Sequence, residues 1–173
     1  AMPREMTLED IERVQEAFVS AAARAQEAGF DGVEILGSGG YLITQFLSTF
    51  KNHRTDDYGG SFENRVRFPR EVIARSRKRL GADFPLTIRM AGNDFVTGSN
   101  TDTETKEFAK VYEKAGIDAI SVTGGWHETH VPQLPASLPQ SGFAFLAYNI
   151  KKEVSVPVMA SNRISSPDAA EKL

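Results

Sequence analysis

Short apolar segments alternate with longer amphipathic segments along almost the whole chain, and this alternation constrains the fold more than any other feature. Apolar runs bounded by glycine, proline or polar residues predict four strands, at 32–36, 85–90, 118–122 and 156–160. Helical spacing and helix-start signals predict helices at 8–28, 41–47, 61–80, 103–114 and 143–152, and a last helix that begins at Ser166 and Pro167. Strands that alternate with helices predict a parallel sheet with right-handed crossovers.

The number of strands leaves two α/β architectures open. A complete (β/α)8 barrel needs about 250 residues, so four strands in 173 residues would make about half of one. The alternative is a small open, doubly wound sheet. No linker or short-period repeat divides the sequence, so we expect residues 1–173 to form a single domain. Because the strands are so apolar, we also expect the sheet to be buried on both faces.

Local signals refine three of these segments. Thr7 and Asp10 form a predicted capping box at the start of the first helix. Pro69 lies inside the predicted helix 61–80, and because proline lacks an N–H we expect it to kink this helix or delay its start. The segment 123–140 is predicted to be a long loop, and loops of this length in compact domains are often functional.

The composition excludes several functional classes. The chain is 40% hydrophobic and 25% charged, and its net charge of −3 comes from both signs spread along the sequence. Nothing in this balance favours binding to DNA, RNA or an anionic membrane. The absence of cysteine excludes a disulfide framework, a thiolate zinc site and iron–sulfur ligands. The absence of cysteine also fits a cytoplasmic protein, which we expect. No apolar run approaches the roughly 20 residues of a membrane span.

Polar or glycine-rich residues follow each of the four predicted strands. In chain order they are 37–40 with Tyr41, Arg89 with 92–94, 124–128 with His130, and 161–163. In parallel α/β folds the carboxyl ends of the strands lie at one edge of the sheet, and ligands bind there. The convergence of these segments therefore predicts a single site at that edge.

Each segment also has a purely structural explanation. Glycines after a strand commonly serve as turn residues, a tyrosine beside them is commonly a packed ring, and the first run does not match the pattern G-x-G-x-x-G. Arg89 needs a partner for its permanent charge, which a structural ion pair would provide. Asn162 and Arg163 are suited to bind a phosphate or form an ordinary turn. His127 and His130 share one loop, but no carboxylate or cysteine cluster supports a metal, so we expect none.

Several segments of the chain resemble the old yellow enzyme family of NADH:flavin oxidoreductases. They are 28–35 (AGFDGVEI), 40–48 (GYLITQFLS), 52–61 (NHRTDDYGGS) and 63–65 (ENR). Within that family, 125–128 (GWHE) and 161–164 (SNRI) are similar to the 2,4-dienoyl-CoA reductase branch, which includes enoate reductases and lies near trimethylamine dehydrogenase. The resemblance extends over nearly the whole chain, from Pro3 to Leu173.

The resemblance implies a (β/α)8 TIM barrel that binds FMN, of which this chain would supply about strands four to seven with their helices. NAD(P)H would reduce the flavin, which would pass hydride to the electron-poor C=C of a small-molecule substrate, an enoyl thioester or an enoate. The cysteine-rich iron–sulfur segment and the pyridine-nucleotide domain of the long family members have no counterpart in this sequence. No nucleic-acid or membrane partner is expected.

The resemblance also implies roles for individual residues. Tyr41 and His127 match the pair proposed in dienoyl-CoA reductases to donate a proton to the substrate. Arg89 matches the arginine that faces the N1/O2 edge of the flavin, where its charge would stabilise the reduced cofactor. Arg163 matches a contact to the FMN phosphate, and we group Asn162 with it as cofactor-binding.

Two further expectations depend on the resemblance. Simple enone reductases of the family hold the substrate carbonyl with two polar side chains after the first of these strands, and here the positions are Leu36 and Gly39. This departure favours a thioester or carboxylate substrate that other groups hold. The segment 54–60 is typical of the family, but we interpret it as structural, with Arg54 and Asp57 pairing to fix the loop.

Two other functions remain open at this point. The chain would be non-catalytic if it forms a half barrel that binds no flavin and self-associates, for instance as a homodimer, through its open edges. Amine oxidation, as in trimethylamine dehydrogenase, would need an aromatic cage for a cationic ligand, for which Trp126 alone is thin support.

Overall fold

The computed structural model describes residues 4–130 and 138–173, which contain six helices and four strands. The helices are α1 (Leu8–Glu27), α2 (Leu42–Leu47), α3 (Phe62–Leu80), α4 (Asp102–Ala115), α5 (Ala144–Lys151) and α6 (Pro167–Glu171). The strands are β1 (Val33–Gly37), β2 (Leu86–Ala91), β3 (Ala119–Thr123) and β4 (Val158–Ala160). Within the described ranges, no helix combines the length and apolar character needed to cross a bilayer.

The four strands form one parallel sheet in the order β1-β2-β3-β4. Helices cover one face of this sheet. On that face Ile35, Ile88 and Ile120 lie side by side, and none of the three is more than 6% exposed. Around the sheet α1 packs on α3, α3 on α4, and α4 on α5. The predicted alternation of strands and helices is therefore confirmed, with the core between the sheet and its helices.

The opposite face of the sheet is open, so the expectation of burial on both faces is wrong. Leu36, Arg89, Ser121 and Met159 lie in register across this open face, one from each strand. Leu36 is 48% exposed and Met159 is 44% exposed. Because parallel sheets are normally covered on both sides, the exposure of Leu36 and Met159 at the two edges of this row indicates the interior side of a barrel that four strands do not close.

Most element boundaries agree with the predicted ones to within two residues. The capping box is confirmed, since the side chain of Thr7 accepts a hydrogen bond from the Asp10 N–H and the Asp10 side chain accepts one from Thr7 in return. Pro69 does not delay the start of α3, which continues through it from Phe62. Of the loop predicted at 123–140, residues 131–137 lie outside the described part of the chain.

Candidate active site

The segments that follow β1, β2 and β3 meet at the carboxyl edge of the sheet. The N–H of Gly92, after β2, donates to the carbonyl of Thr123 at 2.8 Å. Gly39 and Trp126 form an isolated parallel bridge, although β1 and β3 are not neighbours in the sheet. The segments after β1 and β3 therefore close over the end of β2, and several of the residues predicted to form a site come together there.

Tyr41 and His127 are in contact, as their positions after β1 and β3 predict. Tyr41 is the N-cap residue of α2, and its ring centroid lies 4.7 Å from that of His127 at an interplanar angle of 72°. Both residues are exposed, Tyr41 at 53%. This exposure argues against a packed structural tyrosine, because the ring stays accessible to a ligand while it contacts the imidazole.

Arg89 lies on the open face near the carboxyl end of β2, between Leu36 of β1 and Ser121 of β3. It is half-buried, and no carboxylate in residues 4–130 or 138–173 forms an ion pair with it. The structural ion pair that would explain this arginine is therefore not formed in the described part of the chain. Since a guanidinium keeps its charge, an anionic or electron-rich ligand edge would complete its surroundings.

Two residues after β4 have left-handed backbone conformations, Asn162 with φ 71° and Arg163 with φ 56°. The Asn162 Oδ1 accepts hydrogen bonds from Thr123 Oγ1 at 2.8 Å and Ser161 Oγ at 3.1 Å. The carbonyl of Arg163 accepts one from the N–H of Ser141 at 3.1 Å. Strained backbone of this kind concentrates at functional sites. The cofactor role predicted for Arg163 is compatible with this geometry, while Asn162 has only its amide donors left to offer a ligand.

Asp94 orders the segment after β2, a role that sequence reasoning missed. Its carboxylate is buried, and Oδ2 accepts hydrogen bonds from Ser99 Oγ at 2.6 Å and from the side chain and backbone of Asn100 at 2.8 and 3.2 Å. Burial raises the pKa of Asp94, and these hydrogen bonds oppose the shift. The Ser99 hydroxyl also lies 2.6 Å from that of Ser48, so Asp94 supports the site by linking the segments after α2 and β2.

The loop between α2 and α3 shows that the expected pairing of Arg54 with Asp57 is wrong. Arg54 binds both carboxylate oxygens of Asp56 instead, at 3.0 and 2.5 Å. This bidentate contact holds the pKa of Asp56 below its usual range. Asp57 lies 3.6 Å from Arg67, and its side chain is 78% exposed. The two-residue spacing lets the guanidinium reach both oxygens of Asp56, while the next carboxylate points to solvent.

Gly59→Ala is expected to destabilise the chain by about 1–3 kcal/mol, the usual range for forced overpacking. An added Cβ would lie 2.3 Å from the carbonyl oxygen of Arg54 and 2.6 Å from its Cβ, with no flexible side-chain end to give way. Urea unfolding measures the loss. Gly60→Ala is the control, because its φ is +79° but its surroundings are open. A larger loss for Gly60→Ala would show that backbone conformation, not space, explains this glycine pair.

Comparison with known proteins assigns the chain to a family. Residues 1–173 match the NADH:flavin oxidoreductase / NADH oxidase family. The chain belongs to this family. It is 53% identical to a metal reductase of Desulforamulus reducens and 44% identical to an NADH oxidase of Thermoanaerobacter brockii, each over 99% of this chain and 26% of the relative.

A solved structure shares the fold. The chain superimposes on 2-naphthoyl-CoA reductase in complex with 2-naphthoyl-CoA with a TM-score of 0.95 at 43% identity, over 98% of this chain and 26% of that one. This similarity confirms the predicted α/β fold and the partial (β/α)8 TIM barrel. The chain spans about a quarter of the length of these relatives.

Proposed function

We propose that the chain forms about strands four to seven of an FMN-dependent oxidoreductase that uses NAD(P)H to reduce the activated C=C bond of an enoyl thioester or enoate. The observation that carries this proposal is the edge-to-face contact of Tyr41 with His127, 4.7 Å between ring centroids, at the carboxyl edge of the sheet. Family membership supports the flavin and the pyridine nucleotide. The contact supports a proton donor of the kind that reduction of a C=C bond requires.

The described residues fit an FMN. Arg89 presents a guanidinium on the open face with no ion-pair partner among residues 4–130 and 138–173. In this proposal it would face the N1/O2 edge of the flavin, where a positive charge favours the electron-rich state. Arg163 would hold the phosphate, with the amide of Asn162 beside it. Bound FMN supplies hydride transfer from NAD(P)H to a substrate carbon.

Tyr41 donates the matching proton in this proposal, and His127 makes that donation less costly. A phenol holds its proton tightly at neutral pH, so a tyrosine acid needs a neighbour that stabilises the phenolate. The O–H bond of Tyr41 breaks as a C–H bond forms at the carbon next to the one that receives hydride. Solvent then returns the proton, since both residues are exposed.

The proposed substrate class depends on the residues at the carboxyl end of β1. Leu36 and Gly39 offer no side-chain donor to a substrate carbonyl, and Leu36 is 48% exposed on the open face. A simple enone would therefore not be held as the family resemblance describes for enone reductases. A thioester or carboxylate provides additional groups for binding, and the solved relative with a CoA thioester supports this class.

Titration of FMN with the 173-residue chain, followed by flavin fluorescence, tests the cofactor assignment. We expect saturable binding that Arg89→Leu weakens about 10- to 100-fold, because a hydrogen bond to a charged group contributes roughly 1.5–3 kcal/mol. Arg79→Leu is the matched control, since this arginine pairs with Glu27 at 3.0 Å in the helical layer. Equal FMN affinity for Arg89→Leu and the unchanged chain would remove Arg89 from the flavin site.

The open face favours a second candidate function, a non-catalytic half barrel that self-associates. Leu36 and Met159 are exposed on this face, and β1 and β4 form the two edges of the sheet in the described part of the chain. A second copy would cover both features without any flavin. Sedimentation combined with the FMN titration separates the candidates. A dimer with no FMN affinity supports this one, and a monomer that binds FMN supports the first.

Amine oxidation has less support from the geometry than either. A cage for a cationic ligand needs accessible aromatic faces. Trp126, the residue on which such a cage would depend, is 5% exposed and packs against Gly40 and Phe50.

A further inference from the structure

Trp126 is buried although it lies directly before the exposed His127. It is the single tryptophan of the chain and is 5% exposed. Its six-membered ring rests on the backbone of Gly40, where an added Cβ would lie 3.1 Å from the ring atoms Cδ2 and Cε3. The ring of Phe50 lies beside it, with 6.4 Å between centroids. The indole is therefore a fixed contact between the segments after β1 and β3.

The two residues in this contact each precede one member of the acid pair. Gly40 is followed by Tyr41, and Trp126 is followed by His127. Two features require glycine at position 40. Its φ of +81° is a conformation that other residues rarely adopt, and the indole occupies the space that a Cβ would need. A displacement of the indole from Gly40 would move the backbone on which one or both rings of the pair depend.

We propose that Trp126 is a positioning residue whose indole, seated on Gly40, holds the ring of His127 against that of Tyr41. That this contact matters for proton donation rests on the proposed function. That the indole holds the two rings together does not, because it concerns only the distance between two side chains of this chain.

Other contacts of the same loop are weaker candidates for this role. Lys51 and Glu128 form an ion pair at 2.7 Å, but both side chains are substantially exposed, and exposed ion pairs contribute little and are screened by salt. Thr129 donates to the carbonyl of Trp126 at 2.6 Å, which shapes the turn without reaching the segment after β1. Besides the backbone bridge between Gly39 and Trp126, the buried indole is therefore the side-chain contact with the area and rigidity to fix the pair.

The test measures the contact between the rings directly by NMR of the His127 imidazole in the 173-residue chain. The ring current of Tyr41 shifts the resonance of the His127 Hε1 proton. We measure this Tyr41-dependent shift as the change in Hε1 chemical shift when Tyr41 is replaced by leucine, first in the unchanged chain and then in each variant below. We expect Trp126→Leu to abolish this Tyr41-dependent shift. Trp126→Phe, which keeps an aromatic ring on Gly40, should retain part of it. Glu128→Gln, the control in the same loop, should retain all of it.

A Tyr41-dependent shift that persists unchanged in Trp126→Leu would overturn the proposal. Far-UV circular dichroism establishes whether that variant is folded. If it is not, Gly40→Ala displaces the indole from the other side of the contact, and the same shift is measured there. The single tryptophan then reports its own displacement as a longer-wavelength fluorescence emission. A longer-wavelength emission together with an unchanged Tyr41-dependent shift in Gly40→Ala also overturns the proposal.

The positional result and the proposed function fail separately. Loss of the Tyr41-dependent shift in Trp126→Leu confirms the positioning role whatever reaction the enzyme catalyses. In the complete flavoenzyme, unchanged turnover in Tyr41→Phe would reject the acid role and leave that NMR result intact.

Discussion

In the proposed flavoenzyme, Tyr41→Phe is expected to slow reduction of the C=C bond by about 10²- to 10⁴-fold, the usual contribution of a positioned acid. Phenylalanine keeps the ring that lies 4.7 Å from His127 and removes only the hydroxyl. The proton must then come from water, which is not held in place. FMN affinity and flavin reduction by NAD(P)H should be unchanged, because the residues proposed to hold the cofactor are Arg89, Asn162 and Arg163.

Stopped-flow absorbance separates the two half-reactions of this variant. Flavin bleaching by NAD(P)H should match the unchanged enzyme, and reoxidation by cinnamoyl-CoA or cinnamate should be slow. Tyr148→Phe is the matched control, since Tyr148 lies on α5 and is 62% exposed. Its ring centroid lies 4.0 Å from the Lys152 Nζ. Normal reoxidation by Tyr41→Phe would remove the tyrosine from the acid role even where FMN binding behaves as proposed.

The elements of this fold were predictable because their signals are local. Each strand is an apolar run, and α1 begins at a capping box that involves only Thr7 and Asp10. The convergence of Tyr41 and His127 was also predictable, since parallel strands place their carboxyl ends at one edge. Two residues that follow two such strands are neighbours whatever the detailed packing, and the structure brings these two into contact.

The features that sequence reasoning missed depend on packing or on small differences in geometry. The sequence of an apolar strand is similar whether both of its faces are covered or one face lines the interior of an incomplete barrel. The exposure of Leu36 and Met159 could therefore not be predicted from the local sequence. Asp56 and Asp57 are adjacent carboxylates, and only the loop geometry decides that Arg54 binds the first. Trp126 packs against Gly40, which is far from it in the sequence, and neither residue alone predicts this contact.

Arg65→Met is expected to destabilise the chain by about 1–3 kcal/mol, because it leaves buried acceptors without the charged donor that satisfies them. The side chain of Arg65 is 6% exposed. Its guanidinium donates to the carbonyl of Leu47, to Asn100 Oδ1 at 3.3 Å and to Glu104 Oε1 at 2.8 Å. Methionine fills a similar volume but leaves all three acceptors without this donor and the charge of Glu104 without its ion pair.

Urea unfolding monitored by circular dichroism gives the loss, and Arg67→Met provides the comparison from the same helix. Arg67 pairs at 3.6 Å with the exposed Asp57, so we expect its replacement to cost less than about 1 kcal/mol. Similar losses for the two variants would assign the effect to helix α3 rather than to the buried donor.

A loss of stability that is confined to Arg65→Met has a consequence for the site. Leu47 is the last residue of α2, and Tyr41 occupies the N-cap position of that six-residue helix. Arg65 therefore holds one end of the helix whose other end presents the proposed acid, so its replacement should also weaken the contact of Tyr41 with His127.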